Sequence, residues 1–257
     1  NDIKVSTETR NKSRFTNAVN QIKNSVKIDT TNCLTRNRIR GLLKIPAQYY
    51  VNRGFTPAVL DKYDIGLCDN PDREMYNRVV APIYDPEYQY MIGCTGRSIF
   101  EKCDKCGCFH DPNNNCPEDH QKYLYSKWKH SANFKSQNSL YNFWFAKEHI
   151  QETGVAILVE SPGNVWKLEE NNIHNSVGIF GAALSDRQKI ILDSSGAMTI
   201  IVLTDNDDAG RKAAQQIKEK CQNTYRVFIP SITKADIADM TSEEIDTEIK
   251  NYIRGIV

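Results

Sequence analysis

The sequence predicts an α/β fold in two parts: an α+β N-terminal subdomain (residues 1–149) and a parallel-sheet α/β domain (residues 150–257). A small insert interrupts the first part. Three observations carry this. From Gly154 onward, strand-like and helix-like stretches alternate, as in a parallel sheet with crossover helices. Between Ala47 and Phe100 the elements are short and separated by turns, as in a small antiparallel sheet with helices packed on it. Between residues 101 and 120 there is no apolar periodicity, and four of the eight cysteines fall there.

Residues 1–44 are basic, with ten Lys and Arg against three acids, and Ile22, Val26, Leu34, Ile39, Leu42 and Leu43 suggest helix. Arg36, Arg38 and Arg40 alternate there. Their pattern leaves open phosphate contact or a solvated charged face. Tyr49 to Val51 reads as a helix end and Gly54 as a turn. Thr56 then caps a new helix with Pro57 at its first position, continuing to Tyr63. Tyr63–Leu67, Arg78–Tyr84 and Tyr90–Arg97 read as strands, the last two joined by a turn at Asp85-Pro86-Glu87-Tyr88.

The insert, residues 101–120, is too polar to order itself by burial. Its spacing, Cys103-x2-Cys106-x3-His110-x5-Cys116, suits one tetrahedral Zn²⁺ with three thiolates and one imidazole. Cys108 competes with His110 for the third position, and His120 is a further option. Clustered cysteines of this kind point to a reducing cytoplasm rather than a disulfide framework. Residues 121–149 then interleave cations and aromatics. Lys122, Lys127, Lys129 and Lys135 suit nucleic-acid or nucleotide phosphates, whereas Phe143 to Phe145 suit packing against the next domain.

In the second part, Val155–Val159 is a continuous apolar strand ending on Glu160. Ser161-Pro162-Gly163 turns into a helix from about Asn164 to Glu170. Val177–Phe180 is the next strand, and Ser185 caps a helix to about Asp193. Thr199–Leu203 is a buried strand that runs into Asp205, Asp207 and Asp208, followed by a helix from Ala209 to about Cys221. Tyr225–Ile229 is a fourth strand, Asp236 follows it, and Thr241 caps a short C-terminal helix. Asp205 and Asp207 are two apart, so in extended backbone they point the same way. Paired like charges repel, and a hard divalent cation resolves the repulsion. Asp208 is the better candidate for helix capping alone. Glu160, Asp205, Asp207 and Asp236 all fall just past strands, on the edge where open α/β sheets bind ligands.

Charge is unevenly divided. Residues 1–150 hold 22 Lys and Arg against 16 acids, and residues 151–257 hold 11 against 16. A basic half joined to an acidic half suits a polyanion on one side and cations on the other. No apolar run is long enough to span a membrane, and no signal-peptide pattern opens the chain. A first residue of Asn rather than Met is what a fragment of a longer protein would show.

The run Val159-Glu160-Ser161-Pro162-Gly163, the run Asp205-Asn206-Asp207-Asp208-Ala209-Gly210 and the later Asp236 resemble the Toprim domain, over roughly Gly154 to Met240. Upstream lie Tyr50–Gly54 with Asp64-Ile65-Gly66, then Arg78 with Pro82-Ile83, then Gly96-Arg97. Lys122-Tyr123-Leu124 and Phe134-Lys135 with Leu140-Tyr141 follow. In that order they resemble the catalytic core of DnaG-type primases. Two features depart from the family. Asn164 stands where its Glu-Gly-x-x-Asp pattern has Asp, and Glu-Ser-Pro is closer to type I topoisomerases. The cysteine insert is unusual for the core, and is distinct from the zinc-binding domain that precedes the core in bacterial primases, which this chain is expected to lack.

The resemblance implies template-directed synthesis of short RNA primers on single-stranded DNA by two-metal nucleotidyl transfer from ribonucleoside triphosphates. It implies Asp205, Asp207 and Asp236 as ligands of Mg²⁺ or Mn²⁺, with Glu160 as ligand or base. Lys122, Lys135, Arg97 and Arg78 would hold template and triphosphate, and Arg53 would be structural or peripheral. A replicative helicase is a candidate partner. The alternative is a Toprim-type metal-dependent nuclease, with water as attacker on DNA.

Overall fold

The computed structural model describes residues 29–255; Ile22 and Val26 of the expected N-terminal helix lie outside them. Leu34–Thr35 forms a two-residue strand, β1, and Arg36–Arg40 a short helix. Arg36 and Arg40 both reach Asp64, which is fully buried. Arg36 donates to it through Nε at 2.7 Å and Nη2 at 3.0 Å, Arg40 through Nη1, and the Tyr84 hydroxyl at 2.8 Å. A buried carboxylate needs that many donors. These two arginines therefore serve the fold, and Arg38 is exposed.

The helix Pro57–Lys62 starts as expected, the Thr56 hydroxyl accepting from Val59 N–H at 3.3 Å. The following strand, β2, is Gly66–Cys68 rather than Tyr63–Leu67. Tyr63 closes the helix and Asp64 takes a positive φ of 58°, so the chain becomes extended only after it. β3 (Arg78–Tyr84) and β4 (Tyr90–Ser98) form an antiparallel hairpin. The Asp85 carboxylate holds its turn, accepting from Gln89 and Tyr90 N–H at 2.8 and 2.7 Å. β2 pairs with β3. The outer edge of β4 pairs with β1 at one end and with β5 (Trp128–His130) at the other. The cysteine insert is thus the long connection between β4 and β5.

The second sheet is parallel, in the order β7-β6-β8-β9: Ser176–Gly178, Val155–Val159, Thr199–Leu203 and Arg226–Phe228. Every side chain of β6 and β8 is buried, which accounts for their unbroken apolar runs. β7 is shorter than Val177–Phe180, because Phe180 has a φ of 61° and Gly181 one of 137°, and both leave the extended region.

The two sheets share one apolar core. Trp166, fully buried on the helix Pro162–Glu170, meets Tyr50 and Phe55 edge-to-face at 5.1 and 5.9 Å. Its Nε1 donates to the Tyr141 hydroxyl at 2.8 Å. Tyr141 and Gly178 exchange backbone hydrogen bonds of 2.8 and 3.1 Å, tying the connecting segment to the edge of the parallel sheet. Lys62 and the Tyr63 hydroxyl both bind the Glu169 carboxylate. The expected division at residues 149/150 falls within the helix Phe143–Thr153, whose Trp144 meets Tyr84 of the antiparallel half edge-to-face at 5.6 Å while Phe143 packs into the core of the parallel half. Such a junction holds the acidic edge of one sheet against the basic half of the other.

Candidate active site

β6 and β8 lie side by side, with Val159 paired to Leu203, so Glu160 and Asp205 emerge at the same sheet edge. The Asp205 N–H donates to Glu160 Oε1 at 3.1 Å. Asn206 anchors the loop after β9: its N–H donates to the Ala235 carbonyl and its side-chain amide to that of Ile232, both at 2.8 Å. That anchoring brings Asp236 to the same place, where its Oδ1 accepts from Ala238 N–H at 3.1 Å. Gly210 makes the packing possible, because a Cβ there would lie 2.0 Å from the Asp205 carbonyl oxygen.

Asp207 is placed differently from the alternation argument. The paired strand ends at Leu203, and Asp207, its backbone still extended at φ −122° and ψ 179°, lies at the start of the next helix. Asp207 is the N-cap of the helix Asp208–Cys221, its Oδ1 accepting from Gly210 N–H at 2.7 Å. The capping expected of Asp208 therefore falls to Asp207. Asp208 is the first helical residue, fully exposed, with its carboxylate on Arg211.

Glu160, Asp205 and Asp236 line one cleft of about 360 Å³, together with Asp239. Burial, and then the charges of Asp236, Glu160 and Asp207, push the Asp205 carboxyl up to about 7. Burial also raises Glu160 against the opposing Asp205 N–H, with Asp207 and Asp236 adding to the rise. Asp236 is raised by burial too, with the Ala238 N–H easing the rise and the Asp239 charge adding to it. Asn164 itself is buried, its Oδ1 accepting from the Ser161 hydroxyl at 3.0 Å, and it brings no charge. Half-buried oxygen donors that repel one another fit a hard divalent cation such as Mg²⁺ or Mn²⁺. Mg²⁺ keeps much of its water and binds through one or two carboxylates plus substrate phosphates, so a widely set group suffices.

The basic half supplies cations to the same cleft: Arg53, Arg97 and Lys127, with Tyr49, Tyr50, Trp128 and His130. Arg97 is itself mostly buried: its Nη1 donates to the Ser98 and Phe100 carbonyls, and its guanidinium lies over the rings of Phe109 at 5.1 Å and Tyr49 at 5.5 Å, so it borders the cleft with only part of the guanidinium available. The other expected phosphate contacts lie elsewhere. Arg78 is buried, and its guanidinium donates to the carbonyls of Gly96, Leu124 and Ser126 at 2.9–3.1 Å. Lys122 sits just after the insert, paired with Asp119 at 2.6 Å. Lys135 lines a separate cavity with Arg187 and Trp144. Conversely, Arg53 reaches the cleft although its sequence context suggests a peripheral residue. Lys127, one of the lysines read from the sequence as a phosphate contact, reaches the cleft through the pairing of Arg97 with Trp128.

In the insert, Cys103, Cys106, His110 and Cys116 bring their ligand atoms within 4.8 Å of one another, the only such group among the described residues. His110 Nδ1 lies 2.8 Å from the Asp111 carbonyl, which fixes the tautomer and leaves Nε2 toward the thiols, 3.4 Å from Cys106 Sγ. The N–H groups of Cys106 and Lys105 push the Cys103 thiol down to about 6, and Cys108 N–H lowers Cys106. Three thiols and one imidazole so arranged fit Zn²⁺. Cys108 is buried outside the group, and His120 pairs with Glu118 at 3.3 Å.

Residues 154–230 match the Toprim domain family. The chain is 30% identical over 218 residues to the DNA primase of Aquifex aeolicus, covering 72% of this chain and 40% of that protein. It is 28% identical over 198 residues to the DNA primase of Helicobacter pylori strain 26695, covering 74% and 31%. The chain thus spans less than half the length of these curated relatives. Among solved structures it superposes on the Aquifex aeolicus primase zinc-binding and RNA polymerase domains with a TM-score of 0.63 at 23% identity, covering 98% of this chain and 61% of that one. The DnaG primase catalytic domain bound to single-stranded DNA gives a TM-score of 0.57 at 20% identity, covering 81% and 69%. Residues 154–230 are a Toprim domain, and the chain has the fold of the DnaG-type primase catalytic core.

Proposed function

We propose that this chain is the catalytic core of a DNA primase, joining ribonucleoside triphosphates into short RNA primers on a single-stranded DNA template. The observation that carries the reading is one cleft shared by Glu160, Asp205 and Asp236 from the parallel sheet and Arg53, Arg97 and Lys127 from the antiparallel half. A triphosphate needs both: carboxylates to hold its divalent ions and fixed cations for its oxygens. Bound Mg²⁺ or Mn²⁺ would lower the cost of ionising the attacking hydroxyl and neutralise the departing pyrophosphate. Asp205 and Asp236 are its proposed ligands, with Glu160 as ligand or base. Asp207 supports the site by charge and by capping the helix behind Asp205. The aromatic rings in the cleft offer stacking surfaces for bases.

The relatives' names support primase over the nuclease alternative. The test is incubation with single-stranded DNA, Mg²⁺ and labelled ribonucleoside triphosphates, resolved on a gel. Labelled primers that appear only with all three components are expected. DNA shortened without triphosphates would establish the nuclease instead.

A further inference from the structure

The connection between β4 and β5 carries too little apolar contact to hold itself in place: among residues 101–127, only Cys108 and His110 are buried. It nevertheless touches the cationic part of the cleft at several points. The Phe109 ring, next to the metal ligand His110, is one of the two rings under the Arg97 guanidinium. The Ser98 hydroxyl donates to the Phe109 carbonyl at 3.2 Å, and Phe109 N–H donates to the Tyr125 carbonyl at 2.8 Å. Arg78 grips the returning segment through the Leu124 and Ser126 carbonyls. Ser98 N–H donates to the Lys127 carbonyl at 3.0 Å, immediately before Trp128 pairs with Arg97. Lys127 acts on both Asp205 and Asp236 by charge.

We propose that Zn²⁺ held by Cys103, Cys106, His110 and Cys116 is a brace for substrate binding: it orders the connection between β4 and β5, and thereby fixes Arg97 and Lys127 in the cleft. Phe109 is then a positioning residue acting through Arg97. The metal would replace the missing apolar burial, as thiolate zinc sites do in small polar segments. The effect on Arg97 and Lys127 as phosphate contacts rests on the function proposed above. The effect on the β4–β5 pairing does not.

The test uses the whole chain. Elemental analysis should find one zinc per chain as purified; none would overturn the proposal. Zinc is then removed with a chelator under reducing conditions and, separately, by Cys106→Ser. Hydrogen exchange at Gly96, Ser98 and Lys129, whose N–H groups face the β4–β5 ladder, should speed up about tenfold or more, while β6 and β8 stay protected. Faster exchange confined to residues 101–116 would show a zinc site that braces nothing beyond itself. Chelation of the folded wild type decides the matter even where Cys106→Ser does not fold. In a second arm, Phe109→Leu should weaken Mn²⁺–ATP binding about threefold or more, and Phe109→Tyr should restore it. Mn²⁺ binding without nucleotide, read by electron paramagnetic resonance, should match wild type in both variants. Equal ATP affinity for Phe109→Leu and wild type would overturn the positioning role. A wild type that binds no ATP would sink the proposed function, while the exchange arm would still decide the brace.

Discussion

Gly210→Ala isolates the contact that sets Asp205. The new Cβ would meet the Asp205 carbonyl oxygen at 2.0 Å and its carbon at 2.8 Å, whereas ordinary contact begins at 3.4 Å. Relief along that line needs a shift of about 1.4 Å. Both sides of the clash are backbone, so no side chain can swing away. Overpacking of this kind costs about 1–3 kcal/mol of stability. A displacement of about 1 Å at a reacting centre costs about 10²-fold in rate. The assay is primer synthesis at a temperature well below the variant's own melting midpoint, with Mn²⁺ affinity measured alongside. A loss of about a hundredfold in rate and weaker Mn²⁺ binding are expected. Gly163→Ala is the control: Gly163 lines the same cleft, but its Cβ would meet only the Ser161 hydroxyl, at 3.6 Å. It should stay close to wild type. Wild-type rate and Mn²⁺ affinity in Gly210→Ala would refute the claim that the helix start fixes Asp205.

Asp205→Ala should abolish dinucleotide synthesis with the melting midpoint preserved. Asp207→Ala should lower the rate without abolishing it and lose about 1 kcal/mol from its cap, as denaturant titration will show; an unchanged rate would remove its supporting role. Arg97→Ala and Lys127→Ala should weaken ATP binding more than Lys122→Ala, whose ammonium is on Asp119; equal effects would count against the cleft as the triphosphate site. Burial works to raise Glu169, but Lys62 and His174 outweigh it and hold the carboxyl below its usual value. A depressed carboxyl contributes stability that is present above its unfolded value, near 4.5, and is lost as pH falls through the folded value. Glu169→Gln should therefore lower stability at neutral pH and flatten the loss below about pH 4.5 in urea melts. An unchanged acid limb would show that the bridge between the halves carries no linkage.

Much of this was legible because the relevant forces are local. The apolar runs of β6 and β8 admit little but buried parallel strands, and Thr56, Ser185 and Thr241 cap the helices they precede. The meeting of Glu160 and Asp205 follows from two adjacent parallel strands, whereas Asp236 arrives by the loop that Asn206 anchors. Other assignments depended on contacts distant in sequence. Nothing near Arg78 announces that carbonyls more than 40 residues away will occupy it. Arg36 and Arg40 resemble a phosphate-binding pair until Asp64 folds beneath them. Lys127 joins the cleft through a pairing that closes over the whole insert. The role of Asp207 turned on where a strand stops, which periodicity locates only to within a residue or two.

The measurement closest to the central claim is anomalous diffraction from crystals soaked in Mn²⁺. Density shared among Glu160, Asp205 and Asp236, in the cleft that also holds Arg97 and Lys127, is the predicted result. Manganese bound elsewhere, with those three carboxylates pointing to separate surfaces, would contradict it.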